Sequence, residues 1–334
     1  MTLSRRALLA PLLAAPVVAP SLLRAQGAAL EGVAARAAGL EQLHALIVMR
    51  DGAEVLATAP RGPGLARVAN VKSVSKTLLA LLTGIAIERG HLAGPEARVL
   101  PLLGRAPAGD ARDDLTVGHL LSMRTGLPST SGPNYGAWVG SDDWVGYVLD
   151  AEPTGAPGGR FTYSTGTWHV LGAVLAEATG RDLHDLATDW LAAPLGIDLP
   201  RWERDPQGRY LGGNQMALTP RALARVGEMV RQGGTWDGAR VVPAAWLRTS
   251  WEARARSPWS GDSYGYGWFL TRLGGRFAAY GRGYGGQVLA VVPDLGLTVA
   301  ITSDPTRPAR SGGYFGDLVG LMDEIARAVV ADGA

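Results

Sequence analysis

Apolar residues recur along this 334-residue chain in two rhythms. Between residues 43 and 59 two apolar runs flank Asp51-Gly52, a dipeptide suited to a two-residue turn, and this predicts an antiparallel hairpin. A second hairpin is predicted near the other end, where the β-rich runs 287–292 and 297–302 are joined by Pro293-Asp-Leu-Gly296. Residues 315–330 then carry apolar positions at helical spacing. The middle of the chain shows the same helical spacing at about 73–89, 117–122, 164–179, 183–191 and 220–232, with glycine and proline clusters at 106–109, 129–134 and 153–159. Strands at both ends with helices between them predict an α+β fold. In it, one antiparallel sheet is built from the N- and C-terminal segments and flanked by helices, with an all-helical subdomain inserted over roughly 92–215.

Composition adds limits. At 47% hydrophobic and 19% charged the chain has the balance of a soluble globular protein with a large core, which sets aside disorder, collagen and coiled coil. The first residues include Arg5-Arg6 and then run apolar to Leu23 and Ala25, broken by Pro11, Pro16 and Pro20. This is the pattern of a twin-arginine leader of 25 residues rather than a membrane span, so export to the periplasm or beyond is expected, with a single domain over 26–334. Without Arg5, Arg6 and Arg24 the 32 basic residues fall to 29, against 30 acidic ones. No basic run remains to follow phosphates or an anionic membrane, so nucleic acid and lipid are not expected partners. The absence of cysteine excludes a thiol nucleophile, a Cys-ligated metal and disulfides.

The sharpest chemical feature is Ser73-Val-Ser-Lys76 at the head of an apolar helical run. Side chains three apart on a helix share a face, so the Ser73 hydroxyl and the Lys76 amine can meet. A helix N-terminus also supplies backbone N–H groups beside a reacting carbonyl. Ser-x-x-Lys alone is common, but this chain has only two lysines, Lys72 and Lys76, among its 32 basic residues. Lysine differs from arginine in that its ammonium gives up a proton when desolvated, so Lys76 reads as a base and Ser73 as its nucleophile. Tyr163, in Phe161-Thr-Tyr163-Ser-Thr165-Gly166 at a loop-to-helix junction, is placed to relay a proton.

Competing motifs sit in the wrong context. Gly261-Asp-Ser263-Tyr-Gly265 matches a nucleophile elbow, yet a polar stretch precedes it and an aromatic strand-like run follows. Gly281-x-Gly283-x-x-Gly286 matches a dinucleotide loop but opens no helix. His44, His91, His119, His169 and His184 lack the spacing of a helical zinc site, so no metal or other cofactor is expected.

Taken together, the chain resembles the serine β-lactamase and penicillin-binding-protein-like superfamily, in particular its class C-like esterase and 6-aminohexanoate-dimer hydrolase branch. The resemblance rests on Ser73-x-x-Lys76, on Tyr163-Ser-Thr165 in place of the family's Tyr-x-Asn, on the run from Leu115 through His119 and Gly126, and on Gly283-Tyr-Gly-Gly-Gln287 followed by Pro293-Asp. It implies a β-lactamase/transpeptidase-like fold with a cleft between sheet and helical subdomain, and an acyl-enzyme on Ser73 with Lys76 and Tyr163 as catalytic partners. The family's third element falls within residues 280–284, which implies oxyanion donors at the backbone N–H groups of Ser73 and Tyr284. Substrate contacts are then expected at Tyr135, Thr165, Arg282, Gly283 and Gly285. Two departures weaken an antibiotic substrate: Thr165 replaces an amide side chain, and no lysine stands in the third element. The expected partner is a small ester or amide. A β-lactamase, a D-amino-acid peptidase and a non-catalytic ligand-binding domain stay open, as does the oligomeric state.

Overall fold

The computed structural model describes residues 20–332, with side chains from 30 to 331. The twin arginines and most of the expected leader lie outside the described residues. The first described element is a helix, Pro20–Gly39, which straddles the expected boundary at residue 25 and buries Val33 and Ala37 in the core.

The strands follow as β1 (Leu43–Arg50), β2 (Ala53–Thr58), β3 (Ala69–Asn70), β4 (Ala217–Leu218), β5 (Thr235–Trp236), β6 (Ala239–Arg240), β7 (Ala255–Arg256), β8 (Ser263–Tyr264), β9 (Phe269–Leu273), β10 (Arg276–Gly283), β11 (Gln287–Val292) and β12 (Leu297–Ser303). Among the described residues, eight of them form one antiparallel sheet in the order β2-β1-β12-β11-β10-β9-β8-β7. The N-terminal hairpin thus joins the C-terminal strands through β1 and β12, and the fold is α+β as the apolar pattern predicts. Asp51 and Gly52 both take positive φ, 48° and 89°, as a tight hairpin turn requires.

Helices cover both faces. On one, Ser75–Glu88 lies against β10, and Pro220–Arg231 is seated closely enough for Gly227 to touch Leu289 and Thr298. On the other, Tyr314–Asp332 packs Phe315 on Tyr280, ring centroids 6.0 Å apart, and pairs Glu324 with Arg36 of the first helix. Strands β11 and β12 are buried along their whole length, which explains why they read as unbroken apolar runs rather than alternating ones.

Several elements differ in detail from the apolar pattern. The helix expected over 73–89 opens with a 3₁₀ turn at Lys72–Val74 and is α-helical only from Ser75. The one expected over 183–191 is α-helical at Leu183–Ala187 and widens into a π turn at Thr188–Ala192. Short helices at Tyr135–Val139, Trp144–Leu149 and Ala244–Ser250 were not foreseen, because two turns or fewer carry almost no periodic signal.

Helix Ser75–Glu88 is held in place partly by Trp246, whose indole N–H donates to the Ala80 carbonyl at 2.8 Å. The indole lies directly on Gly84: a Cβ there would fall 2.0 Å from Trp246 Cδ1. In a free helix Gly→Ala stabilises by about 1 kcal/mol. Here the indole must move and its hydrogen bond break, so Gly84→Ala is expected to lower the unfolding free energy by about 2 kcal/mol in urea titration.

Candidate active site

The site begins where β3 ends. Asn70 Oδ1 accepts the Lys72 N–H at 2.8 Å and turns the chain, leaving Lys72 at φ 50°, a left-handed conformation that costs a side-chain-bearing residue about 1–2 kcal/mol. Ser73 sits in the resulting 3₁₀ turn, immediately before the helix that carries Lys76. The predicted pairing forms: Lys76 Nζ lies 2.9 Å from Ser73 Oγ.

Lys76 is only 2% exposed. Besides Ser73, its Nζ lies 3.2 Å from Thr165 Oγ1 and 2.7 Å from the Gly213 carbonyl oxygen. Burial pushes its amine well below the usual lysine range. A neutral amine has two N–H donors and one lone pair. The Gly213 carbonyl and Thr165 Oγ1 can take the donors, which leaves the lone pair aimed at the Ser73 hydroxyl.

The Tyr163 ring centroid is 5.1 Å from Lys76 Nζ, and its hydroxyl lies on the Ser73 side of the site. Burial pushes the phenol up, against the opposing pull of the Ser73 hydroxyl and of the Arg282 charge. The Tyr-Ser-Thr segment is held by three successive hydroxyls from a facing loop. Ser129 Oγ donates to the Tyr163 carbonyl at 2.6 Å, Thr130 Oγ1 meets Ser164 Oγ at 2.9 Å, and Ser131 Oγ meets Thr165 Oγ1 at 2.9 Å. The last also accepts the Thr165 N–H at 2.8 Å. Thr165, expected as a substrate contact, is turned onto Lys76 and Ser131 and is buried.

Strand β10 closes the other side. Gly281 and Gly283 face the Ser73 segment; a Cβ on Gly283 would stand 2.5 Å from the Val71 carbonyl oxygen and 3.0 Å from Lys72 Cβ. Side chains alternate along a strand, so Arg282 points to the opposite face. There its guanidinium lies 3.6 Å from the Phe315 ring centroid and donates to Ser311 Oγ at 3.1 Å. Arg282 therefore anchors residues 309–315 and reaches Tyr163 through its charge alone, in place of the substrate contact expected of it. Gly285, at φ 83°, lets the turn pass over the Asp304 carbonyl, and so shapes the strand end without offering a side chain. Tyr284 is half exposed; its carbonyl accepts from Gln287 Nε2 at 3.3 Å, and the same amide is fixed to β12 through both the N–H and the carbonyl of Ser303.

Sequence reasoning missed the loop 212–216, which touches almost every part of the site. Gly213 supplies the carbonyl for Lys76, Asn214 Nδ2 donates to the Tyr135 hydroxyl at 3.1 Å, Gln215 Oε1 accepts from Lys72 Nζ at 3.2 Å, and the Met216 N–H donates to Ser75 Oγ at 3.2 Å. Tyr135 is thus tied to this loop and half-buried against Trp138, its hydroxyl pushed up chiefly by burial. The loop itself is fixed from behind. His169 Nδ1 accepts the Gly212 N–H at 3.2 Å, which puts the ring proton on Nε2, 3.0 Å from Asp205 Oδ2. Both side chains are fully buried. Only the adjacent glycines hinted at this loop in the sequence.

One grouping among the described residues has metal-ligand chemistry, Asp182, His184 and Asp185. Within it, Asp182 Oδ1 caps the Asp185 N–H and His184 Nε2 bonds the Leu199 carbonyl. Ser263 of the rejected elbow motif sits on β8, paired between β7 and β9, and the next element is the strand β9 rather than a helix.

A buried lysine bonded to a serine one helical turn away, with a tyrosine ring beside the lysine and a glycine-lined strand end opposite, defines a serine-lysine-tyrosine site on an α+β sheet. The profile of the Beta-lactamase family matches residues 25–319, and the chain belongs to that family. A 6-aminohexanoate-dimer hydrolase of Paenarthrobacter ureafaciens is 27% identical over 338 aligned residues, covering 90% of this chain and 84% of that protein. Among solved structures, a penicillin-binding protein homolog from Caulobacter crescentus superposes with a TM-score of 0.71 at 21% identity, covering 95% of this chain and 99% of the other. EstCE1, a hydrolase with promiscuous acyltransferase activity, gives 0.72 at 20% identity, covering 91% and 99%.

Removing the Asp205 carboxylate strands the His169 N–H in a dry pocket. Asp205→Ala is expected to lower the unfolding free energy by about 2–3 kcal/mol, measured by denaturant titration. Asp205→Asn, whose carbonyl still accepts from His169, is expected to lose less.

Proposed function

We propose that this chain is an exported serine hydrolase that cleaves a small ester or amide through an acyl-enzyme on Ser73. The observation that carries the reading is the 2.9 Å contact between Ser73 Oγ and a lysine whose amine burial holds well below its usual range. In the first half-reaction the Lys76 lone pair takes the Ser73 proton as Oγ bonds to the substrate carbonyl carbon. The oxyanion is received by the Ser73 and Tyr284 N–H groups. The carbonyl–leaving-group bond then breaks, and the proton passes from Lys76 by way of Tyr163 to the departing oxygen or nitrogen. In the second half-reaction water loses a proton to the same base as its oxygen bonds to the acyl carbon, the bond to Ser73 Oγ breaks, and the proton returns from Lys76 to Oγ, releasing the acid.

The opposed shifts of Lys76 and Tyr163 favour this division of roles. A lysine amine held low is free to accept a proton near neutrality, whereas a phenol held high keeps its own and can act only by passing one on as it receives another. The aminohexanoate-dimer hydrolase relationship favours a linear amide or ester, and the pattern at Arg5-Arg6 favours delivery to the periplasm or medium by the twin-arginine route.

Fluorophosphonate labelling followed by peptide mass spectrometry, with p-nitrophenyl acetate and butyrate turnover, tests the reading. Adduct on Ser73 is expected in the parent protein, with turnover falling by at least about 10³-fold in Ser73→Ala and Lys76→Arg. Label or activity that survives Ser73→Ala overturns the assignment.

The pH profile tests the base separately. The kcat/KM of the parent protein is expected to rise with pH as Lys76 loses its proton, with the acid limb centred well below the ordinary lysine value. Lys76→Arg stays protonated and is expected to be inactive throughout, even at about pH 10. An acid limb unchanged in Lys76→Arg would exclude Lys76 as the base.

A further inference from the structure

The loop at residues 257–262 connects β7 to β8 and is braced almost entirely from within. The Ser257 N–H donates to the Asp262 carbonyl at 2.9 Å, and the Gly261 N–H to the Ser257 carbonyl at 3.0 Å. Ser257 Oγ accepts from the Trp259 and Ser260 N–H groups at 3.4 and 3.3 Å. Arg256 Nε donates to the Gly261 carbonyl at 2.8 Å. From outside, the Tyr280 hydroxyl donates to Asp262 Oδ2 at 2.5 Å and buttons the loop to β10, the strand that ends beside Ser73. Burial and the adjacent carboxylate hold Tyr280 well above the usual phenol range, so it remains a donor.

What this built loop presents is an indole in water. Trp259 is 64% exposed, the most exposed of the large apolar side chains among the described residues. Its ring is not adrift: it meets Tyr163 edge-on at 6.4 Å and 82°, and Phe161 at 6.2 Å and 68°, while Phe161 rests on Tyr264 at 5.1 Å. A rigid, largely uncovered tryptophan fixed against a site residue is the kind of surface that binding uses, because most of its apolar area is still available to be buried.

We infer that Trp259, with the edges of Phe161 and Tyr163, forms an aromatic platform for the leaving group, and that the preferred substrates release an apolar alcohol or amine, aryl or extended alkyl, rather than a small polar one. The inference rests on the acyl-enzyme reading above. If Tyr163 delivers the proton, the departing heteroatom must lie within hydrogen-bonding reach of its hydroxyl, and the group attached to that atom then lies along the Tyr163 side of the cleft, where the indole waits. The acyl portion, bonded to Ser73 with its oxygen toward the Tyr284 end of β10, is directed elsewhere. Trp259 makes no hydrogen bond to Ser73 and its ring no cation–π contact with Lys76, which lies over Tyr163 instead, so it acts on binding and not on proton transfer.

The test uses two ester series. In one the acyl group is always acetyl, and the leaving group runs from methanol through hexanol to 2-naphthol; in the other the leaving group is always methanol and the acyl chain lengthens. For Trp259→Ala the 2-naphthyl-to-methyl ratio of kcat/KM is expected to fall about five- to tenfold, mostly through KM, with Trp259→Phe retaining most of it. The acyl series is expected to keep its parent ratios. Fluorophosphonate labelling of Ser73 in parent and variants separates the two levels of the argument. No label in the parent protein removes the acyl-enzyme reading and the platform with it. Normal labelling with unchanged ratios overturns the platform alone. A change confined to the acyl series makes Trp259 part of an acyl pocket and overturns the assignment to the leaving group.

Discussion

The arrangement of this molecule turns on one amine kept out of water. Lys76 can serve a serine only if its lone pair is free near neutrality, and that requires a dry environment that still satisfies two N–H donors. The Gly213 carbonyl and Thr165 Oγ1 meet that requirement from two different segments, one on each side of the lysine. Neither is free to drift. Thr165 is tied to Ser131, and Gly213 belongs to a loop pinned through Gly212 to the buried His169–Asp205 pair. Gly213 itself takes φ 78°, and a Cβ there would press within 3.0 Å of Lys76 Cγ, so the close approach of its carbonyl depends on glycine.

Much of this was legible before any coordinates, and for identifiable reasons. Both terminal hairpins carry turn residues whose positive φ is dictated locally, and long helices such as Thr165–Thr179 repeat their apolar period often enough to be read. Ser73 and Lys76 lie within one helical turn, so their meeting needs no knowledge of the fold. Tyr163 was legible only as a member of a set, because its contact with Ser73 joins positions ninety residues apart. The loop 212–216 and the hydroxyls at 129–131 were opaque for the same reason: their groups are of kinds that recur throughout the chain, and their partners, far off in sequence, are chosen by tertiary packing. Arg282 was misread although the signal was present. Gly281 and Gly283 share one face of β10, so Arg282 between them must turn the other way.

The polar brace around Tyr280 gives that other face of β10 a purpose. Tyr280 and Arg282 point away from the serine, yet one holds the loop carrying Trp259 and the other holds the chain leading into the last helix. A single strand thereby positions its glycine face against the nucleophile and its side-chain face against the segments framing the cleft. Substitutions at Tyr280 or Asp262 would be felt at the rim of the site although neither residue touches Ser73.

The same dryness that frees the Lys76 lone pair also limits how long the lysine can hold a proton. Burial is the dominant influence on its amine, and among the described residues no carboxylate is placed to stabilise the ammonium. A proton accepted from Ser73 therefore raises the free energy of the site until it leaves, and it has to leave by a short path. On the proposed mechanism Tyr163 offers that path, since its ring lies 5.1 Å from Nζ. Because burial raises the phenol's pKa, the proposed transfer to the leaving group is one coupled to receipt of the incoming proton rather than preceded by a stable phenolate. On that mechanism the Arg282 charge, which pulls the Tyr163 phenol down against burial, favours transient negative charge on it from across the strand.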